Sequence, residues 1–251
     1  MSIHTKQPDS INEVTQFFDS SYMHSHHYLE NLMLRRQYTF LTEYLNRLSP
    51  QPKVLDFCCG YGRHLLPLTA EGYDITGLDI NEYYLQHIKE QNQEVSLIQA
   101  DARFFQGTGE YDVVLNLETS IVYQSDEDSL KMLKSMHSCL KPGGTLLLHL
   151  ANREYVLKNF QHLVWFDDGN GGYVLRKQGL DPITSTLHIQ ETRLSSSGEK
   201  QHYNTRMRLF AVTEVVSMLH QAGFHTEKVY GDFSSSPYTT DSTDIVITCQ
   251  K

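Results

Sequence analysis

The chain has few cysteines, a shortage of positive charge and no long apolar run. Its four cysteines show no metal-ligand spacing: Cys58 and Cys59 are neighbours, while Cys139 and Cys249 stand far apart. That usage fits reduced thiols. No stretch approaches roughly 18 apolar residues, so no membrane-spanning helix is expected. Met1 to Ser10 is polar and lacks the apolar core of a signal peptide, which sets the expectation of a cytoplasmic protein. Lys and Arg number 21 against 30 Asp and Glu, a formal charge of −9 with His neutral. Phosphate backbones select basic patches, so this balance counts against a nucleic-acid partner and favours a small-molecule or peptide acceptor. Histidine is plentiful at 13, densest in His24-Ser25-His26-His27. No acids or cysteines sit there at ligand spacing, so no metal site is expected. The cluster reads as a polar helix end or a substrate-entrance segment. Internal repeats and low-complexity segments are absent.

What the chain has is a regular alternation. Its 251 residues, 39% apolar, suffice for one well-cored domain with an elaboration. Residues 1–10 read as a disordered tail. Residues 11–23 read as an amphipathic helix with Val14, Phe17 and Phe18 on one face, and 28–48 as a second helix stopped by Ser49-Pro50. Strands are expected at 54–57, 74–79, 95–99, 111–116 and 145–150. Helices are expected between them at 62–71, 82–91 and 127–140. That order implies an α/β fold, a mostly parallel sheet with helices on both faces. After Asn152 the pattern changes to short strands at 165–167, 173–178, 186–194 and 200–209, with turns at Gly169-Asn170-Gly171-Gly172, Asp181-Pro182 and Ser195-Ser196-Ser197-Gly198. The alternation from Leu187 to Leu194 suits an antiparallel insertion with one wet face. A helix at 213–222, capped by Thr213 and ended by Gly223, leads into strands at 225–230 and 243–249. The expected organisation is a helical lid segment over 1–48, a binding core over 49–155, a β insertion over 156–210 serving as substrate cap or dimer element, and completion of the core sheet over 211–251.

The richest stretch is Val54-Leu55-Asp56-Phe57-Cys58-Cys59-Gly60-Tyr61-Gly62-Arg63-His64. A short apolar run ends in an acid, then a small-residue turn, then a helix. The next apolar run, Ile75-Thr76-Gly77-Leu78, ends in Asp79, placed for a ribose diol. Glycines let backbone approach a ligand closely. Asp56, Asp79, Asp101 and Asn116 all fall at carboxyl ends of expected strands, where open α/β sheets bind ligands. An acid before the turn would repel a pyrophosphate and suits a cationic or zwitterionic ligand.

At these residues the chain resembles the class I S-adenosylmethionine-dependent methyltransferases, over about residues 50–155. The family's D-x-G-x-G-x-G falls on Asp56 to Gly62, with Cys58 in place of the first glycine. A subgroup carrying C-C-G before G-R-H looks nearest, and the substitution implies that residue 58 needs no positive φ. Asp79 matches the ribose acid, with Ile80 after it. Gln99-Ala100-Asp101-Ala102 resembles the adenine motif. Tyr111 to Leu117 resembles the fourth-strand motif, and Leu140-Lys141-Pro142-Gly143-Gly144 the turn before the fifth strand. The resemblance implies a Rossmann-like seven-stranded sheet whose last strand runs antiparallel beside the sixth. It also implies S-adenosylmethionine as cofactor, S-adenosylhomocysteine as product, and methyl transfer to an N or O atom of a small molecule. The implied cofactor contacts are Asp56, Phe57, Cys58, Gly60, Arg63, Asp79, Ile80, Asp101, Ala102, Asn116 and Leu117.

Each role has a plainer rival. Asp79 and Asp101 also suit helix caps. Arg63 suits the methionine carboxylate, the role Arg35 competes for, or a helix surface. Glu118, Tyr123 and His149 are the candidates for a base. They read equally as a solvated acid, a packing aromatic and a satisfied core histidine. The nearest subgroup carries an apolar residue at the place of Glu118, a difference that points toward an amine or cationic acceptor. Tyr22, Tyr28, Arg35, Glu118, Tyr123, Asn152 and Arg208 are expected around the acceptor pocket, with Trp165 and Tyr238 at its mouth. The N-terminal helices and the insertion are expected to roof it. The insertion's sheet edge also suits a homodimer. Competing functions are another enzyme on the same cofactor, such as an aminopropyl transferase, and a regulatory module that only binds the cofactor. A nucleic-acid methyltransferase is disfavoured, because Asn116-Leu117-Glu118-Thr119 lacks the Pro-Pro-Tyr of a base-flipping motif.

Overall fold

The expected alternation becomes a seven-stranded sheet in the computed structural model, which describes residues 10–251, without the side chains of 10–13 and 28–32. The described residues divide into two compact units, 30–160 with 209–251, and 10–29 with 161–208. The division falls inside a helix, between Leu29 and Glu30, not after residue 48.

The larger unit carries β1 (Lys53–Phe57), β2 (Asp74–Asp79), β3 (Ser96–Gln99), β4 (Tyr111–Asn116), β5 (Leu140–Ala151), β10 (His225–Tyr230) and β11 (Asp244–Gln250). Their order is β10-β11-β5-β4-β1-β2-β3, and β11 runs antiparallel to both its neighbours. The sheet is therefore the Rossmann-like one expected. The first parallel strands are near-continuous apolar runs because both faces are covered. Val54, Val113, Leu115 and Leu147 are fully buried and pack with Phe40, Leu41 and Leu45. Helices α3 (Leu65–Ala70), α4 (Glu82–Gln91), α5 (Asp126–Cys139) and α7 (Val212–Gln221) connect the strands. Gly77 shows why β2 needs a bare backbone. A Cβ there would lie 2.6 Å from Leu65 Cδ2 and 2.8 Å from Cys59 Sγ.

The smaller unit is a four-stranded antiparallel sheet of β6 (Leu163–Asp167), β7 (Tyr173–Asp181), β8 (Thr186–Leu194) and β9 (Lys200–Arg208). Helix α1 (Ser10–Phe17) packs on β9. On β8, Leu187, Ile189, Glu191 and Arg193 are buried while His188 and Gln190 face water. The period of two is the one expected of a half-wet sheet. Two of its four inward residues are charged, which periodicity does not show.

Local differences have local causes. The helix break expected near the histidines lies at Phe18-Asp19, where Asp19 Oδ1 accepts from Tyr22 N–H at 3.0 Å. Helix α2 then runs unbroken over Ser20–Leu48, so His24 to His27 sit within a helix, not at its end. Thr213 does not cap α7: its cap position is Ala211, whose N–H donates to Glu214 Oε2 at 2.7 Å. A short helix, α6 (Arg153–Lys158), and a 3₁₀ turn over Ser120–Tyr123 were not expected. The tail expected at residues 1–10 lies almost wholly outside the described residues. No helix among the described residues is long and apolar enough to cross a membrane. None of their His, Cys, Asp or Glu side chains group in threes or more as a metal ion needs.

Candidate active site

Parallel strands β1, β2 and β4 end side by side, so Asp56, Asp79 and Asn116 meet at one edge. The loop after β1 is held onto β2: the N–H groups of Cys58 and Cys59 both donate to Leu78 O, at 2.8 and 2.9 Å. This places Cys58 at φ +68, in the left-handed region. The expectation that residue 58 escapes a positive φ is thus incorrect. The substitution removed the glycine and left its conformation, at a cost of about 1–2 kcal/mol. Gly60, at φ +54, donates its N–H to Asp79 Oδ2 at 2.8 Å, and Asn81 N–H reaches Asp79 Oδ1 at 2.9 Å. Each carboxylate oxygen keeps a lone pair, so a diol can still be accepted. Burial raises the Asp79 pKa, against the pull of its backbone donors.

Asp56 is 2% exposed, and its Oδ2 has no partner. Burial, then the charge of Asp79, raises its pKa to about 7, with Arg63 pulling the other way. Asn116 donates to Phe57 O at 2.8 Å while its own Oδ1, also buried, is unpartnered. Two buried acceptors without donors are an unfinished arrangement, since such atoms are normally bonded. A ligand bearing an ammonium group supplies what they lack. A Cβ built on Gly60 would meet nothing within 4 Å, so the loop faces open space. Both thiols, Cys58 and Cys59, are held protonated by burial and the neighbouring acids.

Past β4 the chain makes a turn that the sequence does not announce. Glu118 and Thr119 both have positive φ, +58 and +65. Glu118 N–H donates to His149 Nδ1 at 3.1 Å, and Thr119 N–H donates to His149 O at 3.1 Å. His149 Nδ1 is therefore an acceptor, and Nε2 carries the proton toward Asp244 Oδ1 at 3.1 Å. With both nitrogens engaged, His149 is a pin for the turn and not a base. Glu118 Oε1 accepts from Gln37 Nε2 at 2.6 Å and pairs with Arg63 Nη2 at 2.7 Å. Gln37 Oε1 in turn receives His64 Nε2 at 3.0 Å. Burial works to raise the Glu118 pKa, but His149, Arg63, His64 and Gln37 bring it down to about 2. A carboxylate held ionised this firmly is a poor base. His64 is kept neutral, its pKa lowered to about 3 by burial and Arg63. Gln37 is a partner that sequence reasoning missed, because it lies 81 residues from Glu118.

The other candidates are placed less centrally. Asp101 is gripped by its neighbour Arg103, whose Nη2 lies 2.6 Å from Oδ2, and Arg103 also pairs with Asp128. Ala102 and Ile80 are half-buried; Phe57 and Leu117 are buried. Arg35 is exposed, whereas Arg63 is buried beside the loop. Tyr123 ends the 3₁₀ turn, half-buried. Asn152 is not available to a substrate. Its Nδ2 donates to Thr239 O and Ser242 O, and its Oδ1 accepts from Glu154 N–H and Tyr238 O–H. Tyr22 belongs to the smaller unit, stacked on His26 at 4.0 Å between centroids. Arg208 ends β9 in that unit, with Trp165 exposed on β6. The side chain of Tyr28 is outside the described residues.

Residues 54–144, the segment holding Asp56, Asp79, Asp101 and Asn116, match the family model described as a methyltransferase domain. That segment is a methyltransferase domain. It is 24% identical over 231 residues to a candidate methyltransferase of Bacillus subtilis, YqeM, covering 88% of this chain and 94% of the relative. It is 29% identical over 184 residues to the dTDP-3-amino-3,4,6-trideoxy-alpha-D-glucopyranose N,N-dimethyltransferase of Streptomyces venezuelae, with 71% and 74% covered. Its fold matches the crystal structure of an S-adenosylmethionine-dependent methyltransferase from Clostridium acetobutylicum, with a TM-score of 0.77 at 13% identity over 96% and 98% of the two chains. Asp56, Asp79 and Asn116, the three groups that meet at the strand ends, all lie within the matched segment.

Proposed function

We propose that this methyltransferase transfers a methyl group to an amine nitrogen of a small-molecule acceptor. The observation that carries the cofactor part of the reading is the pair of orphaned buried acceptors, Asp56 Oδ2 and Asn116 Oδ1, which suit the ammonium of S-adenosylmethionine. The nitrogen preference draws on the Streptomyces venezuelae relative, whose name specifies an amino sugar and an N,N-dimethylation. Net acidity fits a cationic acceptor as well.

S-adenosylmethionine brings the methyl group on a sulfonium, a leaving group already activated. What the chain must add is orientation, which can contribute several kcal/mol as prepaid entropy. Asp79 receives hydroxyls, and Asp56 and Asn116 receive the ammonium. Glu118 and His149 supply no base, so the acceptor must present its own lone pair. The rate should then rise with pH through the acceptor's amine pKa and show no step at Glu118, whose pKa lies near 2.

The test begins with calorimetric titration of S-adenosylmethionine into the wild type and Asp79→Ala. Micromolar-range binding, lost in the variant, is expected. Labelled methyl transfer is then compared between a dTDP-amino sugar and the same sugar bearing a hydroxyl. Turnover of the hydroxyl compound alone would refute the nitrogen reading.

A further inference from the structure

We infer that Glu118 is the specificity-determining carboxylate of the acceptor site, its free Oε2 meeting the positive charge or N–H groups of an amine beside the transferable methyl. The inference deepens the proposed nitrogen chemistry and rests on it for the acceptor class. Four observations carry it. The residue follows β4 by two positions, at the strand end where Asn116 and Asp56 stand unfinished. Its Oε1 is committed to Gln37 and Arg63, while Oε2 accepts from no group among the described residues. The side chain keeps 39% exposure although its partner Arg63 keeps only 7%. Finally, the backbone is fixed in an uncommon conformation by two bonds to His149, and such strain persists where surrounding structure enforces it, often at ligand sites.

The arrangement suits a group that orients rather than titrates. Arg63 and Gln37 hold one oxygen, so the carboxylate is anchored before any acceptor arrives. Arg63 also lies close enough to Asp56 to lower its pKa, which ties Glu118 to the cofactor loop. On transfer, the nitrogen lone pair forms the N–C bond and the C–S bond breaks, its electron pair staying on sulfur. The positive charge arrives on nitrogen beside Glu118, and the surplus proton leaves to water. A fixed anion at that point stabilises the charge as it develops.

Because the acceptor is unidentified, the probe is a pair of cofactor analogues. Sinefungin carries a protonated amine where S-adenosylmethionine carries its methylsulfonium; S-adenosylhomocysteine carries neither charge there. Both retain the amino-acid end and the ribose. Calorimetry on the wild type should show sinefungin bound about tenfold more tightly. In Glu118→Gln the preference should fall to within about twofold, with S-adenosylhomocysteine affinity unchanged. Glu118→Asp, which withdraws the carboxylate by one methylene, should give an intermediate ratio. A wild type without preference would overturn the inference before any variant is made. Equal losses for both analogues in Glu118→Gln would place the residue at the amino-acid end and overturn it too. The nitrogen reading fails separately, through turnover of a hydroxyl acceptor.

Discussion

Each unit of the chain contains a cluster of arginine, carboxylate and histidine, and the two are finished differently. In the smaller unit Glu191 is buried with both oxygens taken, Oε1 by Arg193 Nε at 2.7 Å and Oε2 by Arg176 Nε at 2.6 Å. Arg193 continues to Asp19 Oδ1 and Phe17 O, both at 2.7 Å, and lies 3.8 Å over the Tyr203 ring. His26 receives Arg176 Nη2 at 2.8 Å, and burial lowers its pKa, which keeps it neutral. No acceptor is left over in that carboxylate. In the larger unit Glu118 has one oxygen occupied and the other open. The same residue types thus build a closed cluster that orders a fold and an open one that can receive a ligand. Satisfaction and burial of the carboxylate, not its partners' identities, separate the two.

The largest expected effect comes from breaking the closed cluster. Arg193→Met strands a buried carboxylate, and urea unfolding should show a loss of about 3–5 kcal/mol. A loss below 1 kcal/mol would mean that the cluster does not order the unit. Next is Asp56. Its folded pKa of about 7 lies above its unfolded value, so its contribution to stability is complete below the unfolded pKa, near pH 4, and is lost as pH rises through 7. Asp56→Asn should therefore stabilise the ligand-free protein by a few kcal/mol at pH 8 and not at pH 4, as read from paired denaturation curves. A pH-independent difference would contradict the burial argument. A smaller effect is expected for Glu118→Gln, a loss of about 1–3 kcal/mol at pH 7 in the same urea assay, because buried Arg63 loses its carboxylate partner while the partial exposure of Glu118 screens the pair. The smallest belongs to Cys58→Gly. Relief of the left-handed strain, set against glycine's greater freedom when unfolded, should leave a gain of about 0.5 kcal/mol. Cofactor affinity should stay within twofold.

Legibility in the sequence followed the range of the interactions. Strand β2, helix α4 and strands β4, β8 and β10 carry their limits in local pattern, and residues 74–79, 82–91, 111–116, 186–194 and 225–230 have the bounds read from the sequence. The edge shared by Asp56, Asp79 and Asn116 was also legible, because strand ends in a parallel sheet converge by topology. What escaped depends on distant partners. Nothing near Gln37 or His64 indicates that they buttress Glu118. Nothing near Asn152 indicates that residues 239 and 242 will consume its amide. Cys58 is a different failure. Residue identity was read as conformation, yet the two bonds to Leu78 O impose the backbone whichever side chain is present.

The position of β11 bears on how the protein must be made. The strand lies between β5 and β10, so β5 keeps one edge unpaired until Asp244–Gln250 has been synthesised. Roughly ninety residues separate the two in the chain, an interval on the order of 5–20 s at ordinary translation rates. Throughout it, the run Leu146-Leu147-Leu148-His149-Leu150 presents an apolar strand edge to its surroundings. Nascent chains stalled within the insertion should therefore be the form most in need of a chaperone.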